Sequence, residues 1–252
     1  MTVLSLAGKK AVVTGASSGI GFAIASRFAQ EGASVVLAGR TRAKLERSLG
    51  ELQKLEEPRG SDRPSQSHRI HRLDVGEMKE WEGLVKEHKE IDFLVNCAGQ
   101  SQHSLFLRTN EEAAQSLLST NLRSVIFGCK TVAKQMAARR AGGCIVNVSS
   151  LLAYKAAIGT SIYAATKAGQ LGLTTALSRE LAQHGIRVNA VVPGYIDTDM
   201  TESLANKTEL EKKIPLGRFG TASEVADAVA FLAKNEYANN CILNLDGGLS
   251  AV

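Results

Sequence analysis

The chain has 252 residues, 44% of them hydrophobic and 22% charged, and lysine plus arginine exceed aspartate plus glutamate by 30 to 25. That length suits one α/β domain with a large core, and no Pro/Gly/Ser-rich linker divides it. The basic residues are scattered apart from the doublets Lys9-Lys10, Arg139-Arg140 and Lys212-Lys213, which excludes a nucleic-acid footprint, and no apolar run is long enough to cross a membrane. The four cysteines, Cys97, Cys129, Cys144 and Cys241, sit apart in apolar runs. They read as buried free thiols in a reducing compartment, not as disulfides or metal ligands. The first strand begins by about Lys10, leaving no room for a cleaved signal peptide. A cytoplasmic protein is expected, with the mitochondrial matrix as the alternative.

In chain order, a β-like run at Ala11 to Val13 leads through Thr14-Gly15-Ala16-Ser17-Ser18-Gly19-Ile20-Gly21 into a helical pattern, Phe22 to Gln30. A second β-like run follows at Ser34 to Ala38. A glycine-rich turn inside a βαβ unit suits a dinucleotide: one glycine allows the turn, one lets backbone approach the pyrophosphate, and one lets helix pack on strand. The phosphates would then rest on free N–H groups at the helix start. Where a carboxylate for the adenine ribose is expected, the chain has Gly39, Arg40, Thr41 and Arg42. Guanidinium groups there suit a 2′-phosphate, so the cofactor expected is NADPH, bound in part by Arg40 and Arg42.

Beyond this unit, the stretch Glu56 to Ser67 carries two of the four prolines and reads as an exposed loop. Strand and helix signals then alternate: His71 and Leu73 near a third strand, Trp81 to Lys89 helical, Ile91 to Asn96 a strand, and Glu111 to Ala138 one long helix. They continue with Cys144 to Val148, Ile162 to Gln183, Arg187 to Val192, Ala222 to Ala233 and Cys241 to Leu245. Such repetition predicts an α/β fold, a doubly wound parallel sheet of about seven strands with helices on both faces. Polar residues at the carboxyl ends of the strands should form the site. Trp81 is expected to pack a helix on the sheet. His103 and His184 read as surface residues, and His68 and His71 lack a partner cluster in sequence, so no metal site is expected.

Tyr163 and Lys167 are four apart on a predicted helix and so share one face. A phenol with its ordinary pKa near 10 is a poor proton carrier at neutral pH, and an ammonium neighbour together with an oxidised nicotinamide would favour phenolate. Lowering the phenol by about three pKa units takes about 4 kcal/mol. Asn147-Val148-Ser149-Ser150 closes a strand thirteen residues before Tyr163.

With these motifs in this order, the chain resembles the short-chain dehydrogenase/reductase family along nearly its whole length, which implies a single Rossmann-fold domain over residues 1–252. The resemblance implies that Gly15, Ser17, Ser18, Gly19, Ile20 and Gly21 hold the dinucleotide phosphates, that Asp74 and Val75 meet the adenine, and that Asn96, Ala98 and Gly99 form the cofactor wall. Cys97 replaces an asparagine of that wall. It further implies that Pro193, Gly194, Ile196 and Thr198 grip the carboxamide, and that Ser150 binds the substrate carbonyl. Tyr163 would pass the proton, Lys167 would hold the nicotinamide ribose and acidify Tyr163, and Asn121 would support a water relay to Lys167.

Pro193-Gly194-Tyr195-Ile196-Asp197-Thr198-Asp199-Met200-Thr201, Ile214-Pro215-Leu216-Gly217-Arg218-Phe219-Gly220 and Asp246-Gly247-Gly248-Leu249 resemble the 3-oxoacyl-acyl-carrier-protein reductases of that family. This implies reduction of a 3-oxoacyl thioester, small or carrier-bound, by a homotetramer without metal, with a lid over residues 195–214. Arg139 and Arg140 would meet the carrier, while His184 stands where a second arginine is often found. General carbonyl, quinone or polyketide ketoreduction is the alternative activity, and a cofactor-binding subunit of a hetero-oligomeric reductase is the alternative of another class.

Overall fold

A computed structural model describes residues 5–55, 66–202 and 207–252. The first βαβ unit is β1 (Lys10–Thr14), α1 (Gly19–Gln30) and β2 (Ser34–Gly39), followed by α2 (Arg42–Lys54), β3 (Arg69–Arg72), α3 (Met78–Glu87) and β4 (Phe93–Asn96). The second half runs α4 (Glu111–Leu118), α5 (Ser124–Arg139), β5 (Gly143–Val148), α6 (Ser161–Glu180) and β6 (Ile186–Pro193). It closes with β7 (Ile196–Asp197), α7 (Asp199–Glu202), α8 (Lys207–Lys213), β8 (Gly220–Thr221), α9 (Ala222–Lys234) and β9 (Ile242–Leu245).

Seven strands form one parallel sheet in the order β3-β2-β1-β4-β5-β6-β9, and β7 pairs β8 in a separate short ladder. Successive residues of a strand face opposite sides, so Val12 and Val13 enter different cores. Val13, Val35 and Leu37 pack with Ile24 and Phe28 of α1 and Val225 and Val229 of α9. Val12, Val36 and Leu94 pack with Trp81 of α3 and Val125 and Met136 of α5. Burial on both faces explains why the strands read as near-continuous apolar runs. Trp81 is fully buried, as expected, and its indole N–H donates to the Val75 carbonyl at 2.9 Å. Strand order reverses between β1 and β4, so a crevice opens there beyond the carboxyl ends of the strands.

The predicted long helix is continuous but not regular. A π-helical turn, Ser119–Arg123, joins α4 to α5. It turns the fully buried Asn121 toward the β4 loop, and an apolar period cannot reveal the one-residue change in ladder spacing that does this. The predicted loop lies mostly outside the described residues, but Gln66 within it donates to the Ala29 and Ala33 carbonyls. The cysteines are free: Cys129 and Cys144 are buried, Cys97 and Cys241 half-buried. No helix among the described residues is long and apolar enough to cross a membrane.

Candidate active site

A cavity of about 820 Å³ occupies the crevice. Its floor at one end is the turn between β1 and α1. Gly15 has φ +67°, and a Cβ there would stand 3.0 Å from the Ala98 Cα. A Cβ on Gly21 would stand 2.3 Å from the Gly15 carbonyl oxygen, an overlap that only glycine avoids. Ser18 makes no side-chain cap on α1, and the first turn of that helix holds no acidic residue. Free N–H groups and the positive end of the helix dipole therefore face the cavity with no internal counter-charge, an arrangement that fits a phosphate.

Gly15, Ser17, Ser18, Gly19, Ile20 and Gly21 all line this cavity, as do Arg40, Val75, Ala98, Gly99, Pro193, Gly194, Ile196 and Thr198. Four expected site residues do not. Arg42 is turned away and pairs with Glu46 at 2.8 Å along the exposed side of α2. Asp74 accepts the Gly76 amide at 3.0 Å, which shapes the loop that presents Val75. Asn96 is buried and donates to Asn147 at 2.9 Å, stitching β4 to β5. Asn121 is buried with its side chain on the Gln100 backbone, accepting from its N–H at 2.9 Å and donating to its carbonyl at 3.0 Å. Lys44, in the first turn of α2 and not singled out by the sequence, lines the cavity as Arg40 does.

The catalytic candidates converge at the other end. Ser150 follows β5, accepts the Leu152 amide at 3.2 Å and lines the cavity together with Tyr163. Lys167, one turn further along α6, is almost fully buried and donates to the Val148 carbonyl at 2.8 Å. Its Nζ lies 5.7 Å from the Tyr163 ring centre. A Cβ on Gly99 would stand 3.4 Å from the Asn121 Oδ1 and 3.7 Å from the Lys167 Nζ, so glycine keeps that space open.

Electrostatics here differ from the sequence expectation. Burial pushes the Tyr163 phenol above its ordinary range, and nearby Ser150 opposes that rise only in part. Lys167 is itself pulled down to about 8 by burial, so it does not make the phenol acidic in the protein alone. Burial also raises the Cys97 thiol, to about 12, which leaves it a neutral lining group.

Several residues that hold this geometry were missed in the sequence. Gln102 is buried and its Oε1 accepts the N–H groups of Ile162 and Tyr163 at 2.9 and 3.0 Å, capping the catalytic helix from a neighbouring loop. Thr14 Oγ1 accepts the Cys97 and Ala98 amides. Gln170 Nε2 donates to the Asn121 carbonyl at 2.6 Å, while its own Oε1 is buried without a partner. Nothing in the residue types announces these bonds, because each joins segments distant in sequence.

Other expectations are corrected. Arg139 is bound to Asp92 at 2.8 Å and is not a free docking cation, whereas Arg140 is exposed. His68 is buried and accepts the Val35 amide at 3.1 Å. His71 is not isolated: it meets Glu87 and His88. The expected lid falls partly on 203–206, outside the described residues; on either side Met200 and Leu210 line the cavity.

A family model described as enoyl-(acyl carrier protein) reductase matches residues 15–250. The chain is 40% identical to a 3-oxoacyl-acyl-carrier-protein reductase of Chlamydia muridarum, over 97% of this chain and 98% of the relative. It is also 40% identical to carbonyl reductase family member 4 of Xenopus laevis, over 96% and 98% respectively. Among solved structures, an NAD(P)-dependent gluconate 5-dehydrogenase of Beutenbergia cavernae with bound NADP superposes with a TM-score of 0.91, at 30% identity and full coverage of both chains. The family model over residues 15–250, relatives matched along nearly the whole chain and the parallel sheet shared with solved structures place it: the chain belongs to the short-chain dehydrogenase/reductase family of oxidoreductases.

Proposed function

We propose that this protein reduces 3-oxoacyl thioesters to 3-hydroxyacyl thioesters with NADPH. The observation that carries the reading is that Ser150, Tyr163 and buried Lys167 line one cavity together with the uncapped start of α1. The cavity with the uncapped start of α1 would hold the dinucleotide, which when bound would supply the hydride for the ketone carbon. Ser150 and Tyr163 hold the carbonyl oxygen, and Tyr163 gives its hydroxyl proton to that oxygen as negative charge develops there. A phenol pushed above its ordinary pKa is fully protonated at neutral pH, the state a donor needs, and is still a stronger acid than the alcohol that forms when it protonates the developing alkoxide. The phenolate left behind is stabilised by Ser150 and by the Lys167 ammonium, then takes a proton back from water.

Arg40 and Lys44, with no carboxylate between them, support selection of a 2′-phosphate. Met200 and Leu210 support residues 195–214 as the lid over the acyl chain, and the half-exposed Leu118 and Ile126 support α4 and α5 as contacts of a homotetramer. The Chlamydia relative supports the thioester substrate, while the Xenopus relative favours a second reading, general carbonyl or quinone reduction. Steady-state NADPH oxidation with acetoacetyl thioesters and with o-quinones decides between them. Higher kcat/KM for the thioesters is expected, and a preference for quinones would overturn the substrate assignment. Absence of turnover with either, restored by a partner chain, would favour a cofactor-binding subunit.

A further inference from the structure

At the edge of the sheet, outside the cavity, three ligand-type side chains converge from two elements. His71 lies in edge strand β3, and Glu87 and His88 lie where α3 ends. His71 Nδ1 is 3.1 Å from Glu87 Oε2 and 3.3 Å from His88 Nε2, and His88 Nε2 is 3.6 Å from Glu87 Oε1. Four ligands bound tetrahedrally at 2.0–2.1 Å stand about 3.3 Å apart; the two Glu87 contacts go to different oxygens, and with one oxygen taken the three ligand atoms lie within 4.8 Å of one another, so a small side-chain adjustment places all three on one zinc ion. The two rings are 5.2 Å apart at 79°, which lets both nitrogens point at one centre.

Hydrogen bonding alone does not account for the triangle. A neutral imidazole nitrogen either donates one proton or accepts one, so if His71 Nδ1 donates to Glu87 it cannot also accept from His88. The 3.3 Å contact between the two ring nitrogens is then left without a hydrogen bond of its own. A cation at the centre engages all three atoms. We propose that His71, Glu87 and His88 bind a divalent transition metal ion, with zinc as the natural occupant. Two imidazoles and a carboxylate suit zinc, cobalt or nickel better than magnesium or calcium. Lys10 and Arg69 add positive potential near His88, but they donate to the Lys89 and His68 carbonyls, and Glu87 is the anion that offsets them. Burial holds His88 neutral, the state that ligates. The Glu87 side chain is 63% exposed, which leaves a fourth position to water. None of the three residues lines the cavity, so the ion's effect is to fasten strand β3 to the end of α3 and not to enter the reduction.

The test is titration of the untagged full chain, stripped with chelator, with cobalt(II), followed by displacement with zinc. One equivalent of cobalt with tetrahedral or five-coordinate d–d absorption and no thiolate charge-transfer band is expected, since the ligands are nitrogen and oxygen. Glu87→Gln, at an exposed position, and His71→Asn, at a partly buried one, should each weaken zinc binding at least tenfold with ketone reduction unchanged, and His103→Asn should leave binding as in the wild type. Octahedral absorption, a thiolate band, no stoichiometric binding, or wild-type affinity in both Glu87→Gln and His71→Asn would overturn the assignment.

Discussion

Replacing Lys167 by Met removes a charge the fold buries at a cost, and the size of that cost follows from its proton affinity. The Lys167 pKa falls from 10.5 to about 8 on burial. Because the folded value is the lower one, the unfolded chain binds more protons between those limits, and wild-type stability rises with pH across the window. At pH 7 the depressed pKa corresponds to about 3 kcal/mol against folding, and at pH 9 to about 2 kcal/mol. Met pays no such penalty but leaves the Val148 carbonyl, now 2.8 Å from the ammonium, without its donor. An unpaired buried acceptor costs about 1–3 kcal/mol, so the variant should be as stable as wild type or up to about 2 kcal/mol more stable at pH 7. Its advantage should shrink by about 1 kcal/mol on going to pH 9. Other titrating groups are common to both proteins and cancel in the comparison. Denaturant unfolding of both at pH 7 and pH 9 reads the difference directly. A stability gap that does not change with pH, or that widens toward pH 9, would refute the buried-ammonium reasoning.

The same lysine sets a pH limit on activity. Its ammonium is lost as pH rises through about 8, so kcat/KM for ketone reduction should fall above that value, and a flat profile through pH 9 would contradict the role of the charge. Arg40→Ala should raise the KM for NADPH by about thirtyfold, the worth of a charge-assisted contact of about 2 kcal/mol, and leave that for NADH nearly unchanged. Arg42→Ala should change neither, since Arg42 is paired with Glu46, and equal effects from the two would show that Arg40 does not read the 2′-phosphate. Gly21→Ala forces a Cβ to 2.3 Å from the Gly15 carbonyl. It should abolish dinucleotide binding by calorimetry and destabilise the protein by more than about 2 kcal/mol; a variant that binds normally would show that the turn yields.

What the sequence disclosed was local chemistry. The glycines of the first turn, the four-residue spacing of Tyr163 and Lys167, and the apolar runs of a sheet covered on both faces are each set by neighbours a few positions away, so pattern alone exposed them. Arg40 and Arg42 show where that ends: both are two residues from the other in sequence, yet one ends a strand and faces the cavity while the other starts α2 and pairs with Glu46. The bonds of Gln102 to α6, Gln170 to Asn121 and Thr14 to the 97–98 backbone join distant segments and follow from the fold, not from the residues beside them. The π-helical turn at Asn121 and the meeting of His71 with His88 belong to the same class. Burial, too, was invisible in sequence: side-by-side spacing suggested that Lys167 acidifies Tyr163, but the apolar surroundings move both groups toward their neutral forms.

The most direct test of Tyr163 as the proton donor is Tyr163→Phe, assayed with NADPH and an acetoacetyl thioester alongside dinucleotide binding by calorimetry. Turnover should fall by a factor of 10² or more, the contribution typical of a positioned acid, with NADPH affinity changed little. Turnover at the wild-type rate in that variant would contradict the assignment.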